Sequence, residues 1–337
     1  MKLLLIMPQF FDYPQVIREE LESMGWQVDF FDDRPSTHAL VKAAIRVNKH
    51  LLHTYIRRYF ARMMRTVRNT KYDAVLLISG QSLSLSEDMM RQLRESQPQA
   101  RFVLYQWDSL RNFPYIARMQ KYFDRCYTFD PQDARDNPNL HFLPLFYSAR
   151  YEKLGAETPQ PPEYDFCFVG TAHPKKYKLI RKMSEELRAV YPRQFVYFFY
   201  PSPLVYYYRK LRNPELRKAK REEFHFVPLK EPEMMEVFRA SRSVMDSAQS
   251  AQAGLTIRVL EALGAKKKLI TTNPDIVNYD FYRPENIYVY DGRMDLNHVF
   301  FQKPYRELED EIYQRYSLRS WLTELLQEEV DSVAASV

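Results

Sequence analysis

The chain has 337 residues, 45% of them hydrophobic and 27% charged, with 49 Lys+Arg against 43 Asp+Glu and a formal net charge of +6. That length is long for one core and comfortable for two domains, and the composition excludes a disordered chain. No apolar run approaches the roughly 20 residues that cross a bilayer, and two cysteines, Cys126 and Cys167, exclude a disulfide framework and any CxxC site.

A reducing cytoplasm is therefore the expected setting. The histidines His38, His50, His53, His141, His173, His225 and His298 are scattered, and none sits in an HExxH motif, so no metal is expected. The absence of GxGxxG and Walker sequences excludes a dinucleotide oxidoreductase or a P-loop enzyme.

The apolar run that opens the chain stops at Pro8 and Gln9, which suits a buried first strand better than a signal sequence. Strand Leu3 to Met7, a helix from about Pro14 to Met24 and strand Gln27 to Phe31 come first. Strand Ala74 to Ser79, a helix from about Glu87 to Ser96 and strand Phe102 to Tyr105 follow, with short runs at Cys126 to Phe129 and His141 to Leu145. This alternation predicts a parallel sheet with helices on both faces, whose ligand-facing residues lie just past strand carboxyl ends.

The stiff, polar segment Gly155 to Tyr164 suits an interdomain linker. A second series begins at once: strand Asp165 to Val169, a helix from about Lys178 to Val190, and strands Phe195 to Tyr200, Phe224 to Val227 and Arg242 to Asp246. The expected domains are 1–154, 155–304 and a helical tail, 305–337, whose apolar spacing at Leu308, Ile312, Tyr316, Trp321, Leu322, Leu325 and Leu326 serves either to brace the first domain or to cap the second.

The most informative stretch runs from Gln252 through Ala253, Gly254, Leu255, Thr256, Ile257 and Arg258 to Glu261 and Gly264, and continues into the strand-like run Lys268 to Asn273. Gly254 lets backbone approach a ligand where a helix starts, Thr256 supplies a hydroxyl at that terminus, and helix N-termini attract phosphate. Arg258 adds a forked donor, and Glu261 can accept paired hydrogen bonds from vicinal hydroxyls such as those of ribose. The plain alternative is an ordinary loop, helix and strand in which Arg258 and Glu261 pair with each other.

This stretch resembles the donor-binding segment of GT-B glycosyltransferases of the group-1 kind, including the spore-maturation and capsule or lipopolysaccharide branches. The resemblance implies an α/β GT-B fold, with two Rossmann-like domains facing across a cleft and a C-terminal helix crossing back. It also implies that Glu261 holds the ribose of a nucleoside-diphosphate sugar. In family 4 a first glutamate contacts the donor sugar; that position is Ala253 here, and Gln252 is the nearest polar substitute.

The turn Gly170-Thr171-Ala172-His173-Pro174-Lys175-Lys176 places small residues, a hydroxyl, an imidazole and two cations after the first strand of the second domain. Metal-independent GT-B enzymes use such groups in place of a divalent cation. Lys175 or Lys176, with Arg258, is therefore expected at the leaving diphosphate. In the first domain Gln106-Trp107-Asp108-Ser109 ends a strand, which makes Asp108 the candidate catalytic base, although Asp is equally a favoured helix cap. Gly80-Gln81-Ser82, Asp12 and Tyr13 are candidates for the same cleft, and Asp246, Asn273 and Tyr279-Asp280-Phe281 for the sugar pocket.

Val41 to Asn69 carries Lys42, Arg46, Lys49, Arg57, Arg58, Arg62, Arg65 and Arg68 among Leu, Tyr, Phe and Met, with no acidic residue. That pattern fits an anionic membrane surface. A second basic aromatic patch, Tyr206 to Arg212 with Lys218 and Arg221, suits the same surface or a nucleotide. The alternative for both is a solvated helix face packed on its own domain. The expected partners are a nucleotide sugar and a glycan or lipid-linked acceptor, with no nucleic acid and no further cofactor, at the inner face of the cytoplasmic membrane. A GT-B protein that has lost catalysis and only binds or scaffolds is the competing expectation, kept open by Ala253.

Overall fold

The computed structural model describes residues 1–33, 49–79, 85–158, 160–248 and 253–327, with the side chains of 49–53 left aside. The chain divides into two compact units, one formed by Met1–Pro144 and Leu318–Val337, the other by Leu145–Ser317. The change of unit thus falls ahead of the proline-rich segment.

Unit 1 contains β1 (Lys2–Met7), α1 (Tyr13–Ser23), β2 (Gln27–Asp32), α2 (Lys49–Arg68), β3 (Ala74–Ser79), α3 (Glu87–Ser96), β4 (Arg101–Gln106), β5 (Arg125–Thr128), α4 (Pro131–Asp136) and β6 (His141–Phe142). Its six strands lie in the order β2-β1-β3-β4-β5-β6, every neighbouring pair parallel. β3 is buried at every position, as a continuous apolar run must be when both faces of a parallel sheet are covered.

α2 sets Phe60, Met63, Met64 and Val67 into the core at i, i+3, i+4, i+7, with Arg57, Arg58, Arg62, Arg65 and Arg68 exposed. From Phe60 to Val67 the apolar side of α2 is therefore used by the fold itself, while Tyr55, earlier on the helix, is exposed. Lys42 and Arg46 lie outside the described residues, as do Gly80, Gln81 and Ser82.

Unit 2 contains α5 (Ala149–Ala156), β7 (Tyr164–Thr171), α6 (Pro174–Leu187), β8 (Gln194–Phe199), α7 (Pro203–Arg212), β9 (Phe224–His225), α8 (Glu231–Ala240), β10 (Ser241–Met245), α9 (Ile257–Gly264), β11 (Lys268–Thr271), β12 (Ile287–Val289), α10 (Val299–Gln302) and α11 (Asp310–Arg315). The order is β12-β11-β10-β7-β8-β9, again with every pairing parallel.

Gly155, expected in a linker, is inside α5 because that helix crosses α9 closely. A Cβ there would stand 2.3 Å from the Gly264 carbonyl oxygen, and one on Gly264 would stand 2.5 Å from the Tyr147 ring. The tail divides its work. Tyr313 donates its hydroxyl to the Gly264 carbonyl (2.7 Å) within unit 2. α12 (Leu318–Leu326) belongs to unit 1, where Trp321 packs edge-on against Tyr105 at 4.6 Å and Arg319 meets Glu20 at 2.9 Å. Among the described residues no helix is long and apolar enough to cross a membrane.

Candidate functional site

Parallel strands deliver their carboxyl ends to one edge of a sheet, where ligands of open α/β folds bind. In unit 2 that edge holds a pocket of about 780 Å³. Thr171, Ala172 and His173 reach it from the end of β7, Tyr200 and Pro201 from β8, Ser247 and Ala248 from β10, and Thr272 to Asp275 from β11.

Lys175 and Lys176 occupy the first turn of α6, and Arg209 of α7 faces the same space. His173 is the N-cap of α6, but its side chain makes no capping bond, Pro174 has no N–H to offer, and the first turn carries no carboxylate. A bare helix N-terminus with three cations close by favours an anion, with Asp275 the single carboxylate among the lining residues. Burial, then the charges of Arg209, Lys175 and Lys176, push the His173 imidazole below its usual range. Burial raises the Tyr200 phenol, while Arg209 works against that shift.

The sequence-level candidates fall into three groups. Thr171, His173, Lys175, Lys176 and Asn273 line the pocket together. Gly170 precedes them in β7, where a Cβ would meet the Phe168 ring at 3.0 Å.

The donor loop forms the second group. Gly254 and Leu255 are buried, and Thr256, the N-cap of α9, donates its hydroxyl to Asp246 Oδ1 (3.0 Å) instead of capping the helix. Asn273 Nδ2 donates to the Ala253 carbonyl (3.0 Å) and, more weakly, to that of Gly254 (3.4 Å), tying the loop to the end of β11. Gln252 lies outside the described residues. Arg258 Nη1 is 2.6 Å from Glu261 Oε2, with its guanidinium 5.2 Å over the Phe238 ring. Glu261 is buried. Burial and then the Glu261 carboxylate push the adjoining Tyr151 phenol far above its usual range. The two side chains expected at a ligand therefore pair with each other, Glu261 buried and Arg258 partly exposed.

The third group is in unit 1. Asp108 follows β4 and accepts from the Ser109 amide (3.1 Å) and Asn112 Nδ2 (3.0 Å), organising the turn after the strand. Next to it the buried Asp133 accepts from the Leu110 amide (2.6 Å), and burial raises its carboxyl. Tyr13 meets the Trp107 ring at 5.6 Å and stacks on Phe10. Asp12 is the N-cap of α1 and makes no side-chain capping bond. In unit 2, outside all three groups, Tyr279 and Phe281 pack on each other, and Asp280 accepts from the Tyr316 hydroxyl (2.6 Å), away from the pocket lining.

Sequence reading missed Tyr200, Ser247 and Thr272 as pocket residues. Each follows a strand carboxyl end by one or two positions, which is the signal that could have found them. Among the described residues, no group of three or more His, Cys, Asp or Glu is arranged to hold a metal ion.

No family model and no curated protein matches the chain at the level of sequence. Solved structures do resemble it. A glycosyltransferase from Rickettsia africae has a TM-score of 0.58 at 11% identity, covering 96% of this chain and 96% of that one. The lipopolysaccharide outer core galactosyltransferase WaaB, in its apo form, has a TM-score of 0.54 at 14% identity over 96% and 99% of the two chains. HepE of Anabaena, solved with UDP and glucose, has a TM-score of 0.54 at 9% identity over 96% and 95%. The fold is GT-B: two Rossmann-like α/β units in succession, the last described helix returned to the first.

Proposed function

We propose that this protein is a glycosyltransferase that takes a sugar from a nucleoside-diphosphate donor. The observation that carries this reading is the cationic pocket at the carboxyl ends of β7, β8, β10 and β11. The bare N-terminus of α6 with Lys175, Lys176 and Arg209 matches a diphosphate, and the Thr171, Ser247 and Thr272 hydroxyls add hydrogen-bonding groups to the lining. These side chains would stabilise the leaving charge without a metal.

Asn273, itself in the lining, and Asp246 anchor the Thr256 loop beside the pocket. Asp108 is the proposed base in the acceptor half, working on a glycan or lipid-linked acceptor at the cytoplasmic face of the membrane.

The test is a thermal-shift and calorimetric titration with UDP-, GDP-, dTDP- and CDP-sugars, first without metal and then with magnesium. The expected result is stabilisation by one nucleotide class, weakened at least about tenfold by Lys175→Ala or Arg209→Ala. Release of the nucleotide and transfer to acceptor, lost in Asp108→Asn, then distinguish an enzyme from a protein that only binds. Indifference to every nucleotide sugar overturns the reading.

A further inference from the structure

α7 has three different sides. Tyr206 is buried in the core of unit 2, T-stacked on Tyr200 at 5.8 Å. Val205 and Arg209 line the pocket. Leu204, Tyr207, Tyr208 and Leu211 are exposed to 82%, 49%, 57% and 83%.

Those four residues stand at i, i+3, i+4 and i+7, the spacing that places side chains along one face of a helix. In a soluble helix this stripe faces the core; here it faces solvent. α2 is the informative contrast, because its residues at the same spacing, Phe60, Met63, Met64 and Val67, are all buried. Of the two basic aromatic stretches in the chain, α7 is the one whose described apolar stripe is left uncovered.

The charged residues of α7 itself are all cations. α7 carries Arg209, Lys210 and Arg212 and no carboxylate, and the turn after it adds the exposed Arg217 and Lys218, with Glu215 opposed. Lys210 is held by the Ala219 carbonyl (2.7 Å), whereas Arg212 lies over the Tyr208 ring at 4.7 Å, next to the stripe. A second copy of this face would bring cation against cation. Tyrosines among leucines with flanking cations match the boundary between acyl chains and anionic headgroups.

We infer that α7 is an interfacial helix that lays Leu204, Tyr207, Tyr208 and Leu211 on an anionic lipid bilayer. Docking there sets the pocket side of the same helix, with Val205 and Arg209, at the membrane. Lipid docking is independent of what fills the pocket, so its test uses no nucleotide.

The full chain is floated with vesicles of phosphatidylcholine, alone or with roughly a third phosphatidylglycerol, across a salt series. Binding to the anionic vesicles is expected, weakened by salt and reduced at least about tenfold by Leu204→Ser with Leu211→Ser, and about fivefold by Arg212→Gln. These side chains are exposed, so the melting temperature should stay unchanged, which separates lost docking from lost fold. A Tyr208→Trp variant should shift its emission to the blue, relative to the parent, on adding anionic vesicles.

Full vesicle binding by the leucine double variant overturns the inference, as does an unshifted emission from the Tyr208→Trp variant. Concentration-dependent dimers that the double variant abolishes, with no vesicle binding by the parent, overturn it in favour of a second copy.

Discussion

Glu261→Ala tests the interior of unit 2 and the role of its most suggestive carboxylate together. Glu261 is buried and meets Arg258 Nη1 at 2.6 Å, while the Arg258 side chain keeps 20% of its exposure. Removing one member of a buried pair costs about 3–5 kcal/mol because the other charge is left without compensation. Partial exposure of Arg258 and its cation–π contact with Phe238 relieve some of that penalty, so about 3 kcal/mol is expected. For a unit of this size that corresponds to a melting-temperature loss of about 6–12 °C.

The companion Arg258→Met with Glu261→Leu removes both charges and keeps the volume, so most of the loss should be recovered. Differential scanning calorimetry reads the melting, and calorimetric titration reads nucleotide affinity under conditions where both variants are folded. A loss below about 1 kcal/mol in the single variant would refute the buried-pair argument. A Glu261→Ala protein that melts normally but binds nucleotide at least about tenfold more weakly would instead place the carboxylate on the ligand.

Gly155→Ala puts a methyl 2.3 Å from the backbone oxygen of Gly264, which no rotamer change relieves. Overpacking of about 1–3 kcal/mol outweighs the roughly 1 kcal/mol that Ala gains over Gly in a helix, so thermal unfolding should show a lower midpoint, and a higher one would refute the close crossing. His173 should couple donor binding to pH. Its folded pKa is depressed by burial and then by Arg209, Lys175 and Lys176, so the imidazole holds its proton less readily than an exposed one, and a bound diphosphate draws a proton onto it. Affinity for a nucleoside-diphosphate sugar, whose diester does not titrate near neutrality, should strengthen as pH falls below about 6.5, and titrations in two buffers should show proton uptake, both lost in His173→Asn. The same depression works against stability: the unfolded chain binds the proton first, so stability falls as pH drops from about 6.5 through the folded pKa, and His173→Asn should flatten that slope in urea melts. Asn273→Ala removes three hydrogen bonds, to the Ala253 and Gly254 carbonyls and from the Asp275 amide, and should cost about 2 kcal/mol by urea denaturation while weakening donor binding.

The two α/β series were legible from the chain because buried parallel strands must be continuous apolar runs, as in Ala74–Ser79, and because turns carry their own chemistry. The expectation that ligand groups sit just past strand ends needed only that alternation, and it led to Thr171, His173, Lys175 and Lys176, which share one pocket. Residue types alone did not determine direction. Arg258 and Glu261 are chemically suited to a ligand, but three positions apart on one helix they also suit each other, and only the packing of α9 against α5 turns the pair inward. Gly155 had the composition of a linker around it, and its use as a contact surface depends on a helix far along the chain. The stretches in α2 and α7 look alike as sequence, basic and aromatic at helical spacing; tertiary packing buried the apolar side of one and left the other in solvent, because a core has room for only some of the amphipathic faces that a chain can offer.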